Sequence, residues 1–227
     1  MKYNLKNKAF SLIELSIVIL IIAILIVITS AATKITYSSK LKKIYSDFAI
    51  YDRAFKEFSF QYNQLPGDLP SHFNFWSDAN YGDGNGDILW YSEGYYAWEH
   101  LSKAALIVGS FDGTTNATYD AIAESNVPKT QLTDILWSAF GNSSKNNYSL
   151  FIGKSTSSLT RIDENSLSPK TSFFLDHKFD DSYPETGSIR IDLALTNSNC
   201  IDDITGNPKN YNKSSDTESC DLYFILN

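Results

Sequence analysis

A 23-residue apolar run, Phe10 to Ala32, contains a single carboxylate, Glu14, and that combination constrains the chain more than any other feature. At ~1.5 Å per residue the run makes a helix of about 35 Å, enough for a tilted crossing of a bilayer. It is too long for the apolar core of an ordinary secretory signal, and no A-x-A cleavage pattern closes it. A charge at the centre of a membrane helix costs roughly 2.5–3.5 kcal/mol, so Glu14 needs a functional reason. On periodicity alone, an uncleaved signal anchor with Glu14 near the headgroups explains the run equally well. Lys2, Lys6 and Lys8 precede it and Lys34, Lys40, Lys42 and Lys43 follow, so Lys/Arg bias leaves the orientation open.

Past the run, Tyr37, Leu41, Ile44, Phe48, Tyr51, Phe55, Phe58 and Tyr62 recur at spacings of three and four, which is one face of a helix. No proline intervenes before Pro66, so one helix from about Phe10 to Tyr62 is expected, close to 80 Å long. Lys40, Lys43, Asp47, Arg53, Lys56 and Glu57 occupy the other side, suited to solvent or a neighbouring subunit. The aromatic-rich stripe fits packing on the chain's own globular domain better than a coiled-coil seam.

Leu65 to Asn227 is 163 residues, enough for one domain. Trp76, Trp90, Trp98 and Trp137 are expected to anchor its core. Tyr95 to Val108, stopped by Gly109, and Thr130 to Phe140, stopped by Gly141, read as helices. Tyr148 to Ile152, Ser188 to Leu195 and the terminal Leu222 to Leu226 read as strands. Ser168-Pro169 reads as the cap and first turn of a helix through Lys178, although Phe173-Phe174-Leu175 suits a strand equally well. Asn142 to Asn147 and Asn207 to Ser215 read as surface loops. Cys200 and Cys220, with 19 residues between them, read as a disulfide outside the cytoplasm, worth about 3 kcal/mol by loop closure.

Asp83-Gly84-Asn85-Gly86-Asp87 places oxygen side chains at alternate positions, the way a calcium loop begins, with Glu93 as a further ligand. The pattern is incomplete: an EF-type loop wants glycine where Ile88 stands and an acid where Gly94 stands, and a plain Asp/Asn/Gly turn explains it more simply. Enzyme chemistry finds little support. His72, His100 and His177 form no H-E-x-x-H pair, and no nucleophile elbow or phosphate loop occurs. No catalytic residues and no required cofactor are expected.

Lys8-Ala9-Phe10-Ser11-Leu12-Ile13-Glu14-Leu15, followed by the Ile/Val/Leu run, resembles the N-terminal signal of type IV pilins and type II secretion pseudopilins. The resemblance implies an α+β, pilin-like fold: a long N-terminal helix packed on a globular domain with an antiparallel sheet. It divides the chain into a leader (1–9), a membrane and filament-core helix (10–32), its amphipathic continuation (33–64) and a periplasmic domain (65–227). It implies cleavage by a membrane prepilin peptidase between Ala9 and Phe10, and methylation of the new Phe10 amine. Glu14, fifth in the mature chain, then pairs with the amine of a neighbouring subunit and sets registry, since opposite charges attract strongly at low dielectric. The cysteine pair matches the C-terminal disulfide loop of many type IV pilins.

The implied partners are the peptidase, other pilin or pseudopilin subunits and the inner-membrane assembly platform. The filament is a type II secretion pseudopilus or a type IV pilus, and Glu14 argues against a tip subunit, which in secretion systems lacks that acid. Calcium enters by the same resemblance, because pseudopilins order their globular domains with calcium loops. Three departures stand out: Ala9 replaces the usual glycine, no proline follows the first twenty or so mature residues, and positive charges flank both ends of the span. Losing Lys2, Lys6 and Lys8 takes the net charge from −7 to −10, which speaks against nucleic acid as a partner. Leu65-Pro66-Gly67-Asp68, the loop Gly82 to Gly86, Trp98-Glu99-His100-Leu101 and Asp176 to Gly187 together resemble a branch of pilin-like proteins to which no activity attaches. In Asp176 to Gly187 the carboxylates read as caps of turns before a strand. The different-class alternative is an uncleaved, membrane-anchored periplasmic module binding calcium or glycan.

Overall fold

The computed structural model describes residues 11–115, 120–145, 147–154, 162, 165–193, 199–202 and 209–226. Helix α1 runs Leu12–Tyr62, 51 residues, as the absence of any internal proline and the alanine-, leucine- and isoleucine-rich sequence require. The chain divides into two compact units, residues 1–40 and residues 41–227. In the first, every described side chain from Ser11 to Thr29 is exposed, and α1 is long and apolar enough to cross a membrane.

The second unit is built on the remainder of α1. Leu41, Ile44, Phe48, Phe55 and Phe58 are buried and Tyr51 and Tyr62 half-buried, so the predicted stripe forms one wall of the core. Tyr37 lies in the first unit and is exposed. Asp47, expected on the open face, is buried instead and pairs with Lys43 one turn back.

Helix α2 (Glu93–Lys103) and helix α3 (Pro169–Phe179) flank a four-stranded antiparallel sheet of β1 (Ile135–Asn142), β2 (Asn147–Lys154), β3 (Ile189–Ile191) and β4 (Leu222–Ile225). The spatial order is β1-β2-β4-β3, which puts the C-terminal strand in the interior. One sheet face carries Trp137, Ala139, Leu150, Ile152, Ile189, Ile191, Leu222 and Phe224, all buried. Phe224 stacks on Phe48 at 4.9 Å, and Trp137 meets Tyr51 edge-on at 5.5 Å, so alternation along the strands meets the helical stripe directly.

Several sequence expectations are corrected. Thr130 to Phe140 is not a helix: Ile135 onward forms β1, because five consecutive residues, Ile135 to Ala139, are buried, which a strand packed on both faces satisfies and a surface helix does not. The helix expected to reach Val108 begins earlier and stops at Lys103, where Ala105 takes a left-handed φ of +56° and Leu106 N–H closes on Leu101 C=O. The strand from Ser188 is only three residues long; Leu193 lies in a turn, and Ala194 and Leu195 lie outside the described residues. Trp98 and Trp137 are fully buried, and Trp76 packs against the core half-buried. Trp90 lies outside that core and meets Tyr91.

Other expectations hold. Ser168 caps α3 by accepting the Thr171 N–H, with Pro169 in the first turn, and Phe173-Phe174-Leu175 is helical. The two surface loops hold only in part: Asn142 closes β1, Ser143–Lys145 is a 3-10 turn and Asn147 opens β2, with residue 146 outside the described residues; of the second, residues 207 and 208 lie outside the described residues and Tyr211 is buried.

Hydrogen bonds from other segments occupy part of each sheet edge. Outward-facing groups of β1 are taken by Pro128, which accepts Trp137 N–H, by Thr130, which donates to Ile135 C=O, and by Ile88, which exchanges two bonds with Gly141. On β3, the outward N–H groups of Ile189 and Ile191 go to the Asp180 carboxylate at 2.7 Å and the Pro184 carbonyl at 3.0 Å. Edge groups occupied in this way make each edge a poorer template for adding another strand.

Candidate functional site

The N-terminal residues form a recognisable helix start. Ser11 precedes the first helical residue, and the Glu14 carboxylate accepts the Ser11 N–H at 2.8 Å while Ser11 Oγ accepts the Ile13 N–H at 3.4 Å. The Glu14 half is that of a capping box, encoded by the S-x-x-E spacing of Ser11 and Glu14, while the Ser11 hydroxyl caps the second helical N–H rather than the third. Glu14 therefore has a job inside its own chain, satisfying one helix-end donor and placing negative charge at the positive end of the helix. Ala9 and Phe10, the residues of the expected cleavage and methylation, lie outside the described residues.

In the globular unit, the segments 65–68, 82–87 and 98–101 come together. Gly67 N–H donates to His100 Nδ1 at 2.9 Å, and the Nε2 side of the ring meets Asn80 C=O at 2.7 Å, which fixes a neutral tautomer with the proton on Nε2. Burial brings the His100 pKa down to about 4, and the ring stacks on Phe58 at 5.9 Å. Beside it, buried Glu99 accepts both the backbone and side-chain N–H groups of Asn80. These polar groups hold the loop after α1 onto α2 and are spent on doing so.

Asp68 is the residue that spacing does not single out. Its carboxylate, 1% exposed, accepts N–H groups from Gly84 at 2.7 Å, Asn85 at 3.2 Å and Gly86 at 2.7 Å. Gly84 and Gly86 have φ of +77° and +90°, the left-handed conformation that turns successive amides toward one anion. The loop thus wraps a carboxylate with its backbone.

The four residues expected to bind calcium divide. Asp83 and Glu93 offer oxygens that, with one from Asp68, lie within 4.8 Å of one another. Asn85 and Asp87 are used elsewhere: Asn85 bonds Asp83 and the Asp87 N–H, and Asp87 accepts the N–H and hydroxyl of Ser143 at 2.7 Å, pinning the β1–β2 turn. Burial raises the pKa of both Asp68 and Glu93 despite their amide bonds. Three converging oxygens suit a hard cation, but they supply fewer than the six to eight donors calcium takes, and Asp68 already has three N–H partners.

A second carboxylate cluster joins the end of α3 to the disulfide. Asp176 is fully buried; its oxygens accept the Ser182 N–H and the hydroxyl of buried Tyr211, each at 2.7 Å. Burial pushes its pKa up to about 7, with Asp180 and Asp181 adding to the rise. Asp180 accepts Ser188 and Ile189 N–H groups, and Asp181 accepts Tyr183 N–H. The expected role of these carboxylates as caps before a strand matches this geometry. Cys200 and Cys220 are buried and bonded, with Cα atoms 5.2 Å apart, and Tyr211 lies in the loop they close.

Residues 4–30 match the family model of the prokaryotic N-terminal methylation motif. That motif is the prepilin-type signal of type IV pilins and pseudopilins, structural subunits that prepilin peptidase processes and that assemble with other pilin subunits. With the long apolar helix and the antiparallel sheet, it accompanies an α+β architecture consistent with a pilin-like fold. No curated protein and no solved structure matches the chain.

Proposed function

We propose that this chain is the precursor of a filament subunit, cut between Ala9 and Phe10, methylated at the Phe10 amine, and assembled through its apolar helix into a type II secretion pseudopilus or a type IV pilus-type filament. The observation that carries this reading is the methylation motif at residues 4–30, with Glu14 at the first turn of α1. Before assembly the helix sits in the inner membrane, N-terminus in the cytoplasm and globular unit in the periplasm, an oxidising compartment where Cys200 and Cys220 stay bonded. Glu14 fits a body subunit rather than a tip subunit. The chain's role is structural, not catalytic.

Co-expression with a prepilin peptidase, followed by mass spectrometry of the N-terminus, tests this. A mature chain beginning at methylated Phe10 supports it; an intact Met1 in the presence of active peptidase overturns it. In that case the chain is an uncleaved, membrane-anchored module, and the convergence of Asp68, Asp83 and Glu93 favours a calcium-binding role for it.

A further inference from the structure

Between Glu14 and Asp47 the chain has no acidic residue, yet Lys34, Lys40, Lys42 and Lys43 fall within ten residues of one another. All four are exposed and all lie on α1. Lys43 pairs with Asp47; Lys34, Lys40 and Lys42 have no ion-pair partner among the described residues. At about 100° per residue, the four project from the helix axis at roughly 0°, 240°, 80° and 180° in that order. Around Lys42 and Lys43 one side of α1 is taken by the buried Leu41 and Ile44, at about 340° and 280°, and the four lysines fan over the rest of the circle. A single protein contact meets one direction, whereas a headgroup layer crossed by the helix meets all of these.

Depth agrees with direction. The apolar run ends at Ala32, so Lys34 stands at the edge of the hydrocarbon. Headgroups occupy about 5–8 Å beyond each face of that core, and Lys43 is about 14 Å further along than Lys34. The nearer lysines therefore lie among the headgroups and the farther ones within about a Debye length of them, roughly 8–10 Å. Tyr37, 45% exposed between Lys34 and Lys40, has the apolar body and polar tip that suit the same level.

We infer that Lys34, Lys40, Lys42 and Lys43 form a cationic collar that binds the anionic phospholipid headgroups of the leaflet in which the apolar helix ends. The inference rests on the membrane placement proposed above. It also gives a reason for lysines that blur the charge asymmetry of the span: they hold the subunit in anionic membrane, and leaving the membrane for a filament strips that contact away.

The test uses the full chain carrying Lys2→Gln, Lys6→Gln and Lys8→Gln, so that the cations at the other end of the span do not contribute, in vesicles of phosphatidylcholine with one-fifth phosphatidylglycerol. Association of spin-labelled phosphatidylglycerol and spin-labelled phosphatidylcholine is compared by electron paramagnetic resonance. The collar predicts a preference for phosphatidylglycerol of about fivefold or more, the attraction of at least one lysine. It should fall toward onefold in 0.5 M sodium chloride and in the Lys34→Gln, Lys40→Gln, Lys42→Gln, Lys43→Gln variant, and persist when the same four become arginine. Equal association of the two lipids overturns the inference, as does a preference that the glutamine variant retains. A chain stripped from the vesicles by alkaline carbonate overturns the membrane placement itself, and the collar with it.

Discussion

Glu14 has two separable roles, and a single isosteric change tells them apart. As a cap, its carboxylate needs only an oxygen that accepts the Ser11 N–H at 2.8 Å, and glutamine supplies one. As a registry charge it must be an anion facing the Phe10 amine of a neighbouring subunit. Losing a cap costs about 0.5–2 kcal/mol, whereas removing one partner of an ion pair at low dielectric costs roughly 3–5 kcal/mol because the other charge is left alone. At 1.4 kcal/mol per tenfold, the second loss lowers assembly by about two to three and a half orders of magnitude. Glu14→Gln and Glu14→Ala should therefore both be cut and methylated in the presence of the peptidase. Both should lose filaments by a hundredfold or more, measured as sheared or pelleted fibre per membrane-resident subunit. Only Glu14→Ala should also lower the helicity of a peptide spanning residues 10–32 in detergent. Wild-type filament yield from Glu14→Gln would refute the registry charge and leave Glu14 as a helix cap.

Three further outcomes follow from the globular unit. Asp176, held near pKa 7 by burial, is protonated more readily in the folded than in the unfolded chain, so its contribution is fully present below about pH 4 and is lost as pH rises to 7. The amide of Asp176→Asn keeps an acceptor for Ser182 N–H and a partner for Tyr211, so urea melts of that variant should lack a decline of about 2–4 kcal/mol that the wild type shows across that window; equal slopes would sink this. Asp180→Ala frees the N–H groups of Ser188 and Ile189, costs about 1–3 kcal/mol, and opens the β3 edge, which light scattering should register as aggregation. Millimolar calcium should raise Tm by about 3–6 °C if Asp68, Asp83 and Glu93 hold it at ten times its Kd, and Asp83→Asn should abolish the rise; no shift in the wild type removes calcium from the account.

What could be read in advance was local. The stripe from Leu41 to Phe58 follows from helical periodicity, and the Ser168-Pro169 start of α3 from cap chemistry, because neighbours in sequence decide both. The Ser11 and Glu14 spacing was equally legible as a helix-start signal, although the signal resemblance draws attention to a different role for the same acid. The failures were non-local. Ile135 to Gly141 has apolar residues suited to either period, and its partners Tyr148 to Lys154 and Ile88 decide for strand. The loop at 83–87 misleads for a similar reason: alternating Asp, Gly and Asn residues can wrap a cation with side chains or an anion with amides. Only the position of Asp68, 15 residues earlier in the chain, selects the second.

The partly occupied sheet edges disfavour one way such a subunit could polymerise. Fibres built by strand addition need a free edge, and here Asp180 and Pro184 occupy one while Pro128, Thr130 and Ile88 occupy the other. Most of the large apolar side chains left exposed lie instead between Leu12 and Ile28, fourteen of them. At about 1.5–3 kcal/mol each, leaving them in water would cost on the order of 20–40 kcal/mol, more than a domain's whole stability. That surface must be covered either by lipid or by neighbouring helices. Lipid covers it without reference to sequence order, so Glu14 at one end and lysines from Lys34 onward at the other are what mark the span's ends. In a filament, the same helices exchange lipid for one another at little hydrophobic cost, because a tail and an isoleucine are equally apolar. Direction and registry must then come from charge, which is why Glu14→Gln, and no change in the sheet, is the substitution that should stop assembly without unfolding the subunit.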